Sequence, residues 1–124
     1  MEILGIDHVG IVTGNIQEAA AFYAEHLGFT AGPVEDAREL KLKTLNLLSG
    51  ENKLELLEPD AKEGATFGLR HIAFKCRNIE HVLEEIAARN LTLLHKSPLQ
   101  YKNIRFFFCK APDGVLLEFI EETE

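Results

Sequence analysis

Apolar and polar positions alternate along residues 6–12, IDHVGIV, placing Val9 and Ile11 on one face and His8 and Gly10 on the other. Residues 69–75, LRHIAFK, repeat the pattern, with Ile72 and Phe74 opposite His71 and Ala73. Behind each run the apolar period lengthens from two to about 3.6. Ile16, Ala19, Ala20, Tyr23 and Leu27 line one side of a predicted helix, which Asn15 caps, with Glu18 at the capping-box position and Gly28 as the stop. Asn78 opens a second helix whose Val82, Leu83, Ile86 and Ala87 point inward. LKLKTLNLL (40–48), KLELLE (53–58), IRFFFCK (104–110) and VLLEFIE (115–121) read as strands, and SGEN (49–52) and APDG (111–114) as turns between them.

The two halves follow one plan. Shifted by 63 positions, His8 falls on His71, Asn15 on Asn78, Ile16 on Ile79, Glu55 on Glu118 and Glu58 on Glu121. Each half reads as strand, helix and at least two further strands. The expected fold is α+β, one domain over 1–124, with a first module at about 1–61 and a second at about 64–124 joined through EPDAKEGATFG. Alternation sets Glu55 opposite Leu54 and Leu56, and Glu118 opposite Leu117 and Phe119. His8, Glu55, His71 and Glu118 therefore lie on strand faces turned away from the helices. A lone strand histidine is ordinarily a core or edge residue, but two histidines and two glutamates in register point to metal ligation.

Bulk properties narrow the partners. The chain has 124 residues, 46% hydrophobic and 27% charged, with a formal net charge of −7. That balance, without a basic stripe, argues against nucleic acid and anionic membrane surfaces. MEILGIDH has neither a positive leader nor a long apolar run, so a cytoplasmic protein without a signal peptide is expected. Cys76 and Cys109 each sit in an apolar run without CxxC spacing and read as buried small hydrophobes in a reducing compartment, rather than as catalytic thiols.

DHVGIVTGNIQEAAAFYAEHLGF, KLELLEP, LRHIAFKCRNI and APDGVLLEFIE, in this order, resemble the vicinal oxygen chelate superfamily, which includes glyoxalase I, methylmalonyl-CoA epimerase, extradiol dioxygenases and bleomycin-resistance proteins. The resemblance covers nearly the whole chain. It implies two tandem βαβββ modules forming a curved mixed sheet around a metal-binding cleft. It also implies a divalent ion (Ni, Co, Mn, Zn or Fe) held by His8, Glu55, His71 and Glu118. Two imidazoles and two carboxylates suit such ions, which polarise a carbonyl while a glutamate moves the proton beside it.

A carboxylate at Glu55 departs from the two-His, one-Glu set that extradiol dioxygenases resemble. The leading expectation is a glyoxalase I-type lyase acting on a thiol adduct of a 2-oxoaldehyde, with Glu118 and Glu55 as ligands, one of which also serves as base. The alternative is a methylmalonyl-CoA epimerase-like isomerase acting on an acyl-CoA. Its second catalytic glutamate would fall on Glu39, twelve residues beyond Leu27, although ELKL follows Glu39 and LQYKNI stands where the epimerases carry HG. A third reading, from another class, is a non-catalytic binding protein of the bleomycin-resistance kind, against which the full ligand set counts.

The remaining polar residues read more plainly. Glu58 and Glu121 are expected to be solvated at strand ends, and His26, His81 and His95 to be structural or exposed. Arg105 and Lys102 are either substrate-binding or, for Arg105, an ion-pair partner. EETE reads as a frayed acidic tail. Phe106, Phe107 and Phe108 supply one parity to the core and the other to a pocket or interface, and apolar surface such as Phe107 suggests a homodimer.

Overall fold

A computed structural model describes residues 1–123. They divide into two compact units, residues 8–70, and residues 71–124 together with the first seven. The fold is α+β, with two helices and parallel as well as antiparallel strand pairs.

In the unit of residues 8–70, the C-terminal part of β1 (Ile3–Val12) pairs in parallel with β5 (Asn52–Pro59). β5 in turn pairs antiparallel with β4 (Leu42–Ser49). The short β2 (Thr30–Ala31) and β3 (Glu35–Ala37) both pair with β4. α1 (Ile16–Leu27) covers one face of this sheet, where Ile16 and Ala20 meet Leu45, Leu47 and Leu56. Burial of each isoleucine or leucine side chain here is worth about 1.5–3 kcal/mol, which outweighs the weak intrinsic helicity of a twelve-residue segment. Leu27, expected on the apolar stripe, is 60% exposed, because the chain turns away at Gly28. Leu40 and Lys41, expected in a strand, instead form a tight turn from Arg38 to Lys41 that joins β3 to β4.

The other unit repeats the plan. β6 (Gly68–Cys76) pairs in parallel with β9 (Leu116–Glu122), β9 antiparallel with β8 (Ile104–Lys110), and β8 with β7 (Leu99–Tyr101). α2 (Ile79–Ala88) buries Ile79, Val82, Leu83 and Ile86 against Phe107, Cys109 and Phe119. Ala87, expected to point inward, is exposed, whereas Ile79 in the first turn is fully buried. Phe107 is fully buried and stacks on Phe119 at 5.1 Å, so it is core rather than a face for a partner chain. The expected frayed tail is ordered through Thr123, whose N–H donates to the Asn103 carbonyl at 2.7 Å; Glu124 lies outside the described residues. The N-terminus is tied to this unit by Met1–Glu85 (2.9 Å) and Glu2–Arg77 (3.2 Å) ion pairs.

Helix entry differs between the units. Asn15 has the extended backbone of an N-cap and its Oδ1 accepts from the Glu18 N–H at 3.0 Å. The Asn15 N–H donates to Thr13 Oγ1 at 3.2 Å, so the expected capping box forms in one direction only. Gly28 closes α1 at φ 75°, a left-handed position that glycine takes without steric cost. Asn78 is itself left-handed, at φ 55°, and makes no side-chain cap.

Candidate metal centre

In the first unit, β1 and β5 run side by side with Gly10 opposite Glu55. Because Leu54 and Leu56 turn toward α1, Glu55 turns to the other face, the one His8 occupies. His8 Nε2 lies 3.4 Å from Glu55 Oε1, with the imidazole 3% and the carboxylate 24% exposed. Asn46, directly across from Glu55 on β4, stands on the same face.

The second unit builds the equivalent pair. Phe74, Leu117 and Phe119 pack toward α2, leaving His71, Ala73 and Glu118 on the opposite face. His71 Nε2 lies 3.3 Å from Glu118 Oε1, and both side chains are under a tenth exposed. Phe108, opposite Glu118 on β8, meets the His71 ring edge-on at 5.6 Å and is flanked by Phe106. On that face Ala73 is fully buried and packs with Phe106 and Ile120.

Among the described residues, the buried polar or charged side chains are His8, His71 and Glu118. Leaving such groups out of water requires compensation, and two imidazoles with a carboxylate are a donor set able to hold a divalent metal ion. The donor chemistry therefore fits the expected cofactor. Glu39 is exposed, on the turn that joins β3 to β4 just before Leu42, which pairs with Pro59.

Two glutamates expected to be solvated have a different job. Glu58 Oε1 accepts from the Ile16 N–H at 2.7 Å, and Glu121 accepts from the N–H groups of Asn78 and Ile79 at 2.9 and 3.2 Å. Each caps the helix of its own unit, at the same 63-residue offset, and the identity of both pairs in the sequence was the available signal. The helix amide holds the Glu58 carboxyl below its ordinary value of 4.5, with Lys62 at 3.1 Å adding to the effect and burial opposing it. Arg105 pairs with Glu80, and His81 with Glu85, as structural residues. His95 packs against Phe108 at 6.2 Å, a contact its sequence position did not signal. Burial, then the Glu121 charge, pushes the Cys76 thiol up to about 11, and burial raises Cys109, so neither is a nucleophile at neutral pH.

Residues 5–119 match the family described as Glyoxalase/Bleomycin resistance protein/Dioxygenase superfamily. The chain belongs to this superfamily. It is 31% identical to the uncharacterized protein YqjC of Bacillus subtilis, over 94% of this chain and 91% of that protein. It is 26% identical to the mitochondrial methylmalonyl-CoA epimerase of Dictyostelium discoideum, over 94% of this chain and 78% of that one. Among solved structures, a hypothetical protein from Bacillus halodurans superposes with a TM-score of 0.85 at 28% identity, covering 96% of this chain and 94% of that one. Methylmalonyl-CoA epimerase of Streptomyces coelicolor also gives 0.85, at 23% identity with 99% and 100% covered, a likeness of fold. The protein thus has the enzyme fold of its superfamily and a donor set for its metal. No helix among the described residues is long and apolar enough to cross a membrane.

Proposed function

We propose that this superfamily member is a divalent-metal-dependent isomerase of the epimerase type, moving a proton on and off the carbon beside a thioester carbonyl. The observation that carries this reading is the likeness to the Dictyostelium methylmalonyl-CoA epimerase along almost the entire chain, which favours it over the glyoxalase I-type lyase. His8, Glu55, His71 and Glu118 would hold the ion, three of them being the buried donor set. When bound, the ion supplies Lewis-acid polarisation of the carbonyl, which makes the neighbouring carbon acidic enough to react.

The remaining work falls to the chain. Glu118, 8% exposed and beside Phe108, takes the proton at its carboxylate where water does not compete for it. Inversion requires a proton on the opposite face of the same carbon, and Glu39 is the residue the resemblance assigns to that step. A lyase needs only the first of these bases, so Glu39 separates the two readings.

The test is metal analysis of protein purified without added metal, followed by exchange of the α-proton for deuterium on a panel of acyl-CoA thioesters and on a methylglyoxal–thiol adduct. A bound divalent ion and epimerisation of a thioester are expected, with Glu39→Gln losing epimerisation by about 10²-fold. Turnover of the methylglyoxal adduct, undiminished in Glu39→Gln, would replace the isomerase with the lyase. A metal-free protein inactive on both, even after metal is added, would remove the enzyme reading.

A further inference from the structure

Phe108 reaches a metal-ligand candidate that its own strand does not touch. β8, which carries Phe108, and β6, which carries His71, both pair with β9 and are separated by it. Two strand spacings put their backbones about 10 Å apart. The Phe108 ring nevertheless meets the His71 imidazole at 5.6 Å between centroids and 89° between planes. Only a long side chain leaning across β9, from the position opposite Glu118, closes that gap.

Two further rings hold Phe108. Phe106, two residues back on the same face, meets it at 6.0 Å and 86°. The other contact comes from the segment before β7. Leu93 pairs with Cys109 and packs into the α2 core, and the Leu94 N–H donates to the Phe108 carbonyl at 3.0 Å. Unbroken alternation would carry His95 back to the α2 side with Leu93. Instead the chain bends at Leu94, and His95 lies half-buried against Phe108 at 6.2 Å. Across from Glu55 the equivalent position is Asn46, so the strand pairing does not itself require a ring there. The α2 core is served by Phe107 and Cys109, and Phe108 only borders the small cluster of Ala73, Phe106 and Ile120.

We propose that Phe108 is a positioning residue of the metal centre. Its ring, braced by Phe106 and His95, fixes the plane of the His71 imidazole so that Nε2 stays turned toward Glu118 Oε1, 3.3 Å away. A ligand held in its binding orientation before the metal arrives binds more tightly, because less ordering remains to be done. This role rests on His71 being a metal ligand, whichever reaction the metal serves.

The experiment is titration of chelator-stripped protein with Co(II), read by calorimetry and by the visible spectrum of the bound ion, whose bands follow ligand geometry. Phe108→Leu stays apolar but is too short to reach across β9. It is expected to lose about tenfold in affinity, the lower end for a residue that supports a ligand, with an altered spectrum. Phe108→Tyr, which keeps the ring, retains the native affinity and spectrum. His95→Ala shifts both in the direction of Phe108→Leu, by a smaller factor. Phe107→Leu, on the α2 side of the same strand, measures mere loosening: it lowers the urea midpoint and leaves Co(II) affinity unchanged. Native affinity and spectrum in Phe108→Leu, or an equal loss in Phe107→Leu, overturns the inference and leaves the metal reading standing. Native protein that takes up no Co(II) sinks the metal reading and this role with it. Should Phe108→Leu fail to fold, His95→Ala decides, an unchanged affinity and spectrum overturning the proposal.

Discussion

His8–Glu55 and His71–Glu118 are built from equivalent parallel strand pairs, β1–β5 and β6–β9, at the same sequence offset and with nearly the same separation, 3.4 and 3.3 Å. Their surroundings are not the same. Glu55 is 24% exposed beside the amide of Asn46, while Glu118 is 8% exposed beside the ring of Phe108. Equivalent strand pairs thus set where each carboxylate stands, and the cross-strand neighbour decides what else surrounds it. A nearly buried carboxylate with an aromatic cross-strand neighbour is shielded from water and suited to hold or pass a single proton. One beside an amide is suited to bind and to be reached.

That contrast is broken or sharpened most strongly by exchanging each carboxylate for its amide. Glutamine retains an oxygen that can ligate but cannot accept the substrate proton. Glu118→Gln is therefore expected to lower turnover by 10²-fold or more, roughly the contribution of a general base. Glu55→Gln, which on the proposed reading keeps a ligand oxygen where no proton is moved, is expected to weaken metal affinity by about tenfold and to leave turnover at saturating metal largely intact. Steady-state kinetics at saturating metal distinguish the two. Equal losses would mean that the units share both roles and that the neighbours decide nothing.

A smaller effect separates the two helix starts. α1 is capped twice, by Asn15 and by Glu58, whereas α2 depends on Glu121, because Asn78 is left-handed and does not cap. Glu121→Ala leaves two amide donors without their carboxylate and is expected to destabilise by about 2 kcal/mol, against about 1 kcal/mol for Glu58→Ala. Urea denaturation reads both, and the reverse order would show that Asn15 rather than Glu58 holds α1.

The parts of this arrangement that were legible in the sequence follow from period and offset. Alternation placed Glu55 opposite Leu54 and Leu56, and Ile72 and Phe74 opposite His71, because a strand leaves no other choice. The Asn15–Gly28 bracket around α1 was legible because both ends carry residues whose local chemistry suffices. What escaped depends on partners distant in sequence. Glu58 and Glu121 were repeated, yet only the folded sheet brings them to amides 42 or 43 residues away. Phe107 looked like surface beside two other phenylalanines until register put it under α2. Asn46 carried no signal at all: an amide in an apolar strand gains meaning only from the glutamate paired across from it.

The smallest expected effect is a dependence on pH at the first unit's cap. The Ile16 amide, and after it Lys62, holds the Glu58 carboxyl below 4.5 in the folded chain, against the opposing effect of burial. A depressed carboxylate contributes stability that is fully present above its unfolded value and is lost as pH falls through the folded one. Native protein should therefore exceed Glu58→Gln in stability at pH 7, by less than about 1 kcal/mol, since the amide oxygen still accepts from Ile16 and only the charge is lost. As pH falls through its depressed folded value the native carboxyl takes up its proton and becomes, like glutamine, a neutral acceptor, so the two stability curves should converge. Denaturation midpoints of both proteins, followed from neutral pH down through the carboxylate range, measure the difference. A gap that stays constant with pH would show that Glu58 stabilises α1 by its shape and hydrogen bond alone, with no contribution from its charge at the helix N-terminus.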